Sequence, residues 1–240
     1  MTPFKLSEEL LDQINSDIVA QNNKALQTLV KEYHYADLAE IFEALQIDQA
    51  VYLFKLIDSE KSADMLPELD EDVRESILDA LSSEEIATEI EELDTDDAVD
   101  IIAELPDEVR KEVINQISDT EHADDIRELL TYDENSAGGL MAKELVCVNQ
   151  NWTVTRCVRE MRLQAQEVTH VHSIYVVDNK NVLLGRLSLK DLLTANEKSK
   201  IKSVYIPKVD YVTIDEEGEE VAKIMSKYDL EAIPVVNEQK

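Results

Sequence analysis

Seven apolar residues, Leu45, Ile57, Leu69, Leu81, Leu93, Leu105 and Ile117, recur at intervals of twelve. Most are followed by a short polar turn and then by acids: Asp70-Glu-Asp, Ser82-Ser-Glu-Glu, Thr95-Asp-Asp, Pro106-Asp-Glu, Ser118-Asp-Thr-Glu. Ser82 with Glu85 and Ser118 with Glu121 have the spacing of capping boxes, and Pro106 suits a first helical position. Each unit therefore reads as a helix of about two turns, ended by the next turn. Helices this short do not stand alone in water, so they must stack on one another. A closer echo lies three units apart, Glu68-Leu-Asp-Glu-Asp-Val-Arg74 against Glu104-Leu-Pro-Asp-Glu-Val-Arg110. The expectation is a superhelical stack of short helices with carboxylates at the helix N-termini. Upstream, Leu6, Leu10, Leu11 and Ile14, and then Leu38, Ile41, Phe42 and Leu45, keep helical spacing, so residues 6–44 add two or three amphipathic helices. His34 and its flanking tyrosines read as packing or turn residues.

The stack ends at a joint, Tyr132-Asp-Glu-Asn-Ser-Ala-Gly-Gly-Leu-Met141, where both charge and period change. Residues 1–134 hold 38 acidic and 9 basic residues, a net −29; residues 135–240 hold 15 and 14, a net −1. Almost the whole charge of −30 thus sits in one half. Gly138-Gly139 carries half of the chain's four glycines, and the expectation there is a helix C-cap with a linker, or a backbone path that other residues resist.

After the joint the pattern alternates strand and helix. Strands are expected at 145–148, 173–177 and 182–187, with a turn at Asp178-Asn-Lys-Asn181 and helices from Trp152 to Leu163 and over 188–193. A second copy follows, with strand 211–214, helix 219–228 and strand 232–236. It lacks a counterpart of the hairpin return and closing helix, so the chain reads as a fragment. The fold class is α plus α/β: an all-α stack followed by a tandem β-α-β-β-α pair with the second copy incomplete.

Composition narrows the function. Apolar residues make up 44% of the chain, enough for packed cores, so the acidity does not imply disorder. A half at −29 repels nucleic acid and anionic lipid and attracts cations. Cys147 and Cys157 have no metal-binding spacing and read as core thiols of a reduced compartment. No basic start with an apolar run marks a signal peptide, and no window has the roughly 18–20 apolar residues of a membrane span, so the chain reads as soluble and cytosolic. No nucleophile–base pair, Cys/His cluster or phosphate-cradling glycine loop points to an enzyme.

Capping explains many of the acids, since the helix dipole favours them in a first turn. It explains fewer of Glu91, Glu92, Asp94, Asp96, Asp97 and Asp100. Asp96 and Asp100 are four apart on one helix face, where like charges repel. Two readings are open: a solvated face, or a divalent cation offsetting repulsion that no nearby base relieves. Oxygen donors without Cys or His suit Mg²⁺ or Ca²⁺.

The tandem unit with Gly185-x-x-Ser188-x-x-Asp191 resembles a CBS-domain pair. An acidic short-helix repeat, then Ser136-Ala-Gly-Gly-Leu-Met141, then such a pair resembles the cytosolic part of the MgtE family of magnesium channels. Asp191-Leu-Leu and Lys227-Tyr-Asp-Leu-Glu-Ala-Ile-Pro-Val-Val236 fit the same pattern. The resemblance covers nearly all 240 residues. It implies an N domain at 4–132, a first CBS domain at 136–200 and a truncated second one at 201–240. It also implies a homodimer through the CBS domains, joined to a transmembrane pore domain of its own, at the cytoplasmic face of the plasma membrane. In the family Mg²⁺ bound between the N domain and the CBS pair holds the pore closed.

By motif match, Asp96 and Asp100 in Leu93-Asp-Thr-Asp-Asp-Ala-Val-Asp100 resemble the family's N-domain ligand pair. Asp64 resembles a third N-domain acid, Asp229 a facing CBS acid, and Gly139 a carbonyl donor. Ser188 and Asp191 match positions that hold a nucleotide ribose in many CBS pairs; the alternative is that they simply cap the helix. Ser173 stands where nucleotide-binding relatives can offer an aromatic, Ala142 where Thr is common, and Tyr205 where Met is usual. Three functions follow: the Mg²⁺-sensing region of such a channel, a CBS module sensing ATP or another adenine nucleotide on a helical scaffold, or a protein-interaction scaffold like the short-helix stacks of flagellar motor switch proteins.

Overall fold

The computed structural model describes residues 4–166, 168, 171 and 173–237. The chain divides into two compact units, one made of residues up to Leu93 together with Asp97–Asp124, the other of Asp94–Asp96 and the residues from Asp125 onward.

The first unit is helical. Its helices are α1 (Glu8–Val19), α2 (Asn23–Glu32), α3 (Tyr35–Glu43), α4 (Ile47–Phe54), α5 (Ser59–Met65), α6 (Glu71–Asp79), α7 (Ser83–Ile90), most of α8 (Thr95–Glu104), α9 (Asp107–Gln116) and the start of α10 (Thr120–Leu129). A 3₁₀ turn, Leu66–Glu68, follows α5. Upstream of the repeat there are three helices, and His34 is the N-cap of α3, its Nδ1 accepting from the N–H of Ala36 at 3.3 Å.

The period of twelve is explained by where its apolar residue sits. Leu45, Leu69, Leu81 and Leu105 each come one residue before the helix N-cap, at Gln46, Asp70, Ser82 and Pro106. A hydrophobic residue just ahead of the cap fixes the angle at which the chain enters the helix. Leu45, Leu69, Leu93, Leu105 and Ile117 are buried. The helices pack in alternation: α3 on α5, α5 on α7, α7 on α9, and in the other row α4 on α6. Each buries one to three large side chains completely, such as Ile77 of α6, Ile86 and Ile90 of α7, or Leu38, Ile41 and Phe42 of α3, and each such burial contributes about 1.5–3 kcal/mol.

The caps are partly as expected. Ser82 and Glu85 form the reciprocal box, with the Ser82 hydroxyl accepting from the Glu85 N–H at 3.2 Å and the Glu85 carboxylate accepting from the Ser82 N–H at 2.8 Å. Ser118 does not cap α10. The Asp119 carboxylate takes that place, accepting from the N–H groups of Glu121 and His122, while the Ser118 N–H donates to the Glu91 carboxylate. Pro106 stands at the N-cap rather than at the first helical position: with φ −56° and ψ 143° it is still extended, and α9 begins at Asp107.

The echo between Arg74 and Arg110 is a repeated clamp. Arg74 donates to the carbonyls of Leu66 and Leu69, at 3.3 and 2.8 Å. Arg110 donates to those of Ile102 and Leu105, each at 3.1 Å. Each guanidinium thereby adds a bond to carbonyls where the preceding helical stretch ends, although those of Leu66 and Ile102 also accept the N–H groups of Leu69 and Leu105.

The second unit carries the end of α10 and the strands. A four-stranded sheet runs in the order β1 (Val146–Asn149), β2 (Ile174–Val177), β3 (Leu183–Leu187), β4 (Ile206–Pro207). The β1–β2 pair is parallel, with α11 (Val154–Gln164) as the crossover; β2–β3 and β3–β4 are antiparallel. Val146, Val148, Val154, Cys157, Ile174, Val176, Leu187, Ile201 and Leu192 of α12 (Leu189–Thr194) form its core. The second copy is smaller. Strands β5 (Val212–Thr213) and β6 (Val235–Val236) pair in parallel across α13 (Gly218–Tyr228). The extended stretches expected at 211–214 and 232–236 shrink to two paired residues each.

The glycine joint is neither a C-cap nor a free linker. Helix α10 stops at Leu129, and no glycine among the described residues has positive φ. Instead the segment docks on the second copy. The N–H of Ala137 donates to the carbonyl of Glu216 at 2.7 Å, that of Gly138 to Ile214 at 2.9 Å, and that of Gly218 to Asn135 at 2.8 Å. A β-carbon on Gly139 would overlap the carbonyl oxygen of Asp133. The pair is small because backbone passes close to backbone.

Candidate metal and nucleotide sites

The expected metal residues lie on four elements. Asp96 and Asp100 occupy successive turns of α8, the first half-buried and the second exposed. Asp64 is exposed near the end of α5, Gly139 is buried in the joint, and Asp229 is exposed at the end of α13. The structure thus brings Asp96 and Asp100 together on one helix; among the described residues no three or more His, Cys, Asp or Glu side chains converge into a metal-sized group. The chemistry of the pair still suits a hard cation. Mg²⁺ is commonly held by one or two carboxylates and keeps several waters, and α8 offers carboxylate oxygens with no basic residue in its own sequence.

Contrary to the expectation from sequence, Asp100 is not remote from a base. Arg74 reaches across from α6 to pair with Glu104, Nε to Oε2 at 2.9 Å and Nη2 to Oε1 at 2.5 Å. That bond raises the Arg74 pKa first of all, and the charge of Asp100 adds to the effect. Repulsion along α8 is therefore partly relieved by the protein itself.

Asp229 has a structural task as well. It is the C-cap of α13 in the left-handed conformation, φ 53°, and the N–H of Leu230 closes back on the Met225 carbonyl at 2.9 Å. Asp tolerates that region better than most residues, so a helix stop accounts for its backbone.

The sequence did not disclose the bonds that hold the first turn of α8. Glu144, two residues before β1, accepts from the backbone N–H of Thr95 at 3.1 Å and from its hydroxyl at 2.8 Å. The Lys143 N–H donates to the same hydroxyl oxygen at 2.8 Å. The Lys143 ammonium pairs with Glu128 at 2.8 Å and with Asp125 at 3.7 Å. The bond from Lys143 holds the Glu128 carboxyl below its usual range. Thr95 is 1% exposed. No local signal marks this arrangement, because its partners lie 49 residues apart in sequence.

Ser188 is the N-cap of α12, its hydroxyl accepting from the Asp191 N–H at 3.5 Å. A cleft of about 90 Å³ is lined by Ser173, Tyr175, Arg186, Lys208 and Asp210, together with Leu230 and Ala232. Lys208 has φ 85°, a strained conformation for a residue with a side chain, and such strain clusters at binding sites. Arg186 and Lys208, which sequence reasoning overlooked, give this cleft two cations. Burial pushes both thiols, Cys147 and Cys157, up to about 11.

Comparison with known proteins places the molecule. The MgtE intracellular N domain matches residues 33–135, and the CBS domain matches 137–198 and 201–240. A structure described as the cytosolic domain of the Mg²⁺ channel MgtE in complex with ATP superposes with a TM-score of 0.87 at 30% identity, covering 95% of this chain and 93% of that one. The chain belongs to the MgtE family. A second structure, the soluble part of a magnesium transporter, superposes at 0.83 with 26% identity, over 97% of this chain and 91% of that chain. The magnesium transporter MgtE of Thermus thermophilus is 43% identical over 108 residues. The one from Enterococcus faecalis is 32% identical over 108. These alignments span 45% of this MgtE chain and 24% of each transporter, so the chain corresponds to only part of the curated relatives it matches. Among its described residues no helix is long and apolar enough to cross a membrane.

Proposed function

We propose that this MgtE chain is the Mg²⁺-sensing regulatory region of a magnesium channel, lying at the cytoplasmic face of the membrane and joined to a pore domain. The observation that carries the reading is the likeness, over nearly the whole chain, to the cytosolic domain of a Mg²⁺ channel. The division of charge, −29 before the joint and −1 after it, supplies the physical reason: carboxylates in excess repel until a cation offsets them. Mg²⁺ held by Asp96 and Asp100, with Asp64, Asp229 and the Gly139 carbonyl as further donors, favours the closed pore. The chain acts by binding and has no catalytic role. It works as a homodimer through its CBS domains. Helix α13 buries no residue completely, and Val221, Ile224 and Met225 remain half-buried at helical spacing, which leaves an apolar stripe for a second copy.

The test is a thermal melt with and without saturating Mg²⁺ at constant ionic strength, on the native chain and on the double change of Asp96 and Asp100 to Asn. Binding to the folded state alone adds RT ln(1 + [L]/Kd), about 1.4 kcal/mol at tenfold excess. That exceeds the few tenths of a kcal/mol released by ending the repulsion. The native chain should gain the larger increment and the variant should lose most of it. A variant that keeps the full Mg²⁺ shift would return the acids to a solvated face.

A second ligand is favoured by the cleft with Arg186 and Lys208. Two cations beside Tyr175 suit the phosphates and base of an adenine nucleotide such as ATP, with the Ser188 hydroxyl and the Asp191 carboxylate, at the start of the helix that follows the strand of Arg186, to meet the ribose. Calorimetric titration with ATP, repeated on Arg186→Ala and Asp191→Asn, tests it; equal affinity in all three proteins would remove the cleft from consideration.

A further inference from the structure

The bonds at Thr95 have a use beyond ending a helix. Some helices of the stack are capped locally, as Ser82 caps α7, and others take a carboxylate from about two units upstream, as the Asp70 N–H takes Glu43 and the Ser118 N–H takes Glu91. At α8 a carboxylate from 49 residues downstream takes both the backbone N–H and the hydroxyl of Thr95. The hydroxyl is simultaneously fixed by the Lys143 N–H, so its proton points one way. The Lys143 ammonium ties the same dipeptide to Glu128 and Asp125 of α10. Thr95 is fully enclosed, while the next residue, Asp96, is half-buried. This three-point hold fixes the backbone and hydroxyl of Thr95, the residue next to Asp96.

We propose that Glu144 is a positioning residue for the cation site: through Thr95 it sets the direction of the Asp96 carboxylate without itself meeting the ion. This rests on the reading of Asp96 and Asp100 as Mg²⁺ ligands. A site using only two protein carboxylates depends on their geometry, since Mg²⁺ demands near-ideal octahedral angles. Groups held by a supporting layer of hydrogen bonds lose affinity when that layer is removed, typically by 10–100-fold.

Three variants of the chain, read by calorimetric Mg²⁺ titration and by the apo melting temperature, decide the matter. Glu144→Ala removes the hold and should weaken Mg²⁺ binding about tenfold or more. Glu144→Gln retains it, because the amide oxygen accepts from the Thr95 N–H and the amide NH₂ donates to the hydroxyl oxygen. Its Mg²⁺ affinity should stay within about twofold of native, although a charge is gone, and this separates positioning from direct ligation. Thr95→Val removes only the hydroxyl and should fall between the two; it carries the test if Glu144→Ala does not fold. Glu144→Gln as weak as Glu144→Ala would make Glu144 a ligand and overturn the proposal. So would Glu144→Ala with a lowered apo melting temperature and native affinity, which marks a purely structural cap. Asp96→Asn with Asp100→Asn is run alongside. If that pair binds Mg²⁺ like the native chain, the cation reading has failed and the positioning role falls with it; if only the Glu144 variants behave like native, the cation reading stands and the positioning role alone is lost.

Discussion

Arg74 and Arg110 hold the same two backbone positions, the carbonyls five and eight residues before each of them. The likeness of the two sequence segments around them is thus a likeness of function within the fold. Arg74 adds a paired contact to Glu104, where the side chains are 13% and 30% exposed.

Replacing Arg74 by Ala should destabilise the helical unit by about 2–4 kcal/mol, since it removes the bond to the Leu69 carbonyl and leaves Glu104 without this partner in a partly buried place. Replacing Arg110, whose ion pair with Asp107 is longer and more exposed, should cost less, about 1–2 kcal/mol. Urea unfolding of the two variants measures both. Equal losses would show that the Glu104 pair contributes nothing beyond the carbonyl clamp.

Glu89 gives the stack a dependence on pH. Its carboxylate, half-buried between α5 and α7, accepts from the buried Ser62 hydroxyl at 2.6 Å, and desolvation pushes its pKa up to about 7 against this bond. The charges of Glu92, Asp58 and Glu85 push the same way. A folded-state value above the unfolded one favours the protonated form in the fold. The stabilising contribution is therefore complete below about 4.5, the unfolded value, and lost as pH rises through about 7. Melting temperatures of native and Glu89→Gln chains at pH 5 and pH 8 should differ most at pH 8, with Gln the more stable there. Parallel pH curves would show that Glu89 titrates normally.

Gly139→Ala should destabilise the second unit by roughly 1–3 kcal/mol, the usual cost of forcing an atom into packed surroundings. The β-carbon meets backbone, the Asp133 carbonyl, which cannot rotate away. Hydrogen exchange at Ala137 and Gly138, whose N–H groups bind Glu216 and Ile214, should quicken in the variant. Unchanged protection there would mean the joint adapts.

Light scattering of the intact chain should return twice 27.3 kDa at micromolar concentration, and Ile224→Glu should halve it by placing a charge on the half-buried stripe of α13. A native monomer would remove the dimer from the proposal.

Much of this fold was legible because its signals are local. Period twelve, the Ser82–Glu85 box and the change to strand alternation after residue 141 each involve residues a few positions apart. What stayed hidden depends on distant partners. Thr95 and Glu144 look like ordinary polar residues until the fold joins them. Arg186 and Lys208 share a cleft only because β3 and β4 pair. Asp119 rather than Ser118 caps α10 because the helix begins at Thr120, directly after it, and the Glu91 carboxylate takes the Ser118 N–H that a box with Glu121 would have used. The reason for Gly139 was hidden too: glycine type reports small size, and only coordinates reveal whether conformation or crowding requires it. Of the metal residues, the α8 pair was readable from its spacing, whereas the contribution of Arg74 near Asp100 was not.

The alternating packing of the helices has a mechanical meaning. Because α5 touches α3 and α7, α7 touches α9, and α4 touches α6, helices α3 to α9 pack as two interleaved rails, one of odd and one of even helices. A displacement of α5 travels first to its own rail. The two clamps run across the rails: Arg74 ties α6 to the turn after α5, and Arg110 ties α9 to the end of α8. Inserting or deleting one twelve-residue unit would transfer every later helix to the opposite rail. A scaffold of this kind can lengthen by pairs of helices and keep its faces, but a single added helix would turn it inside out from that point on.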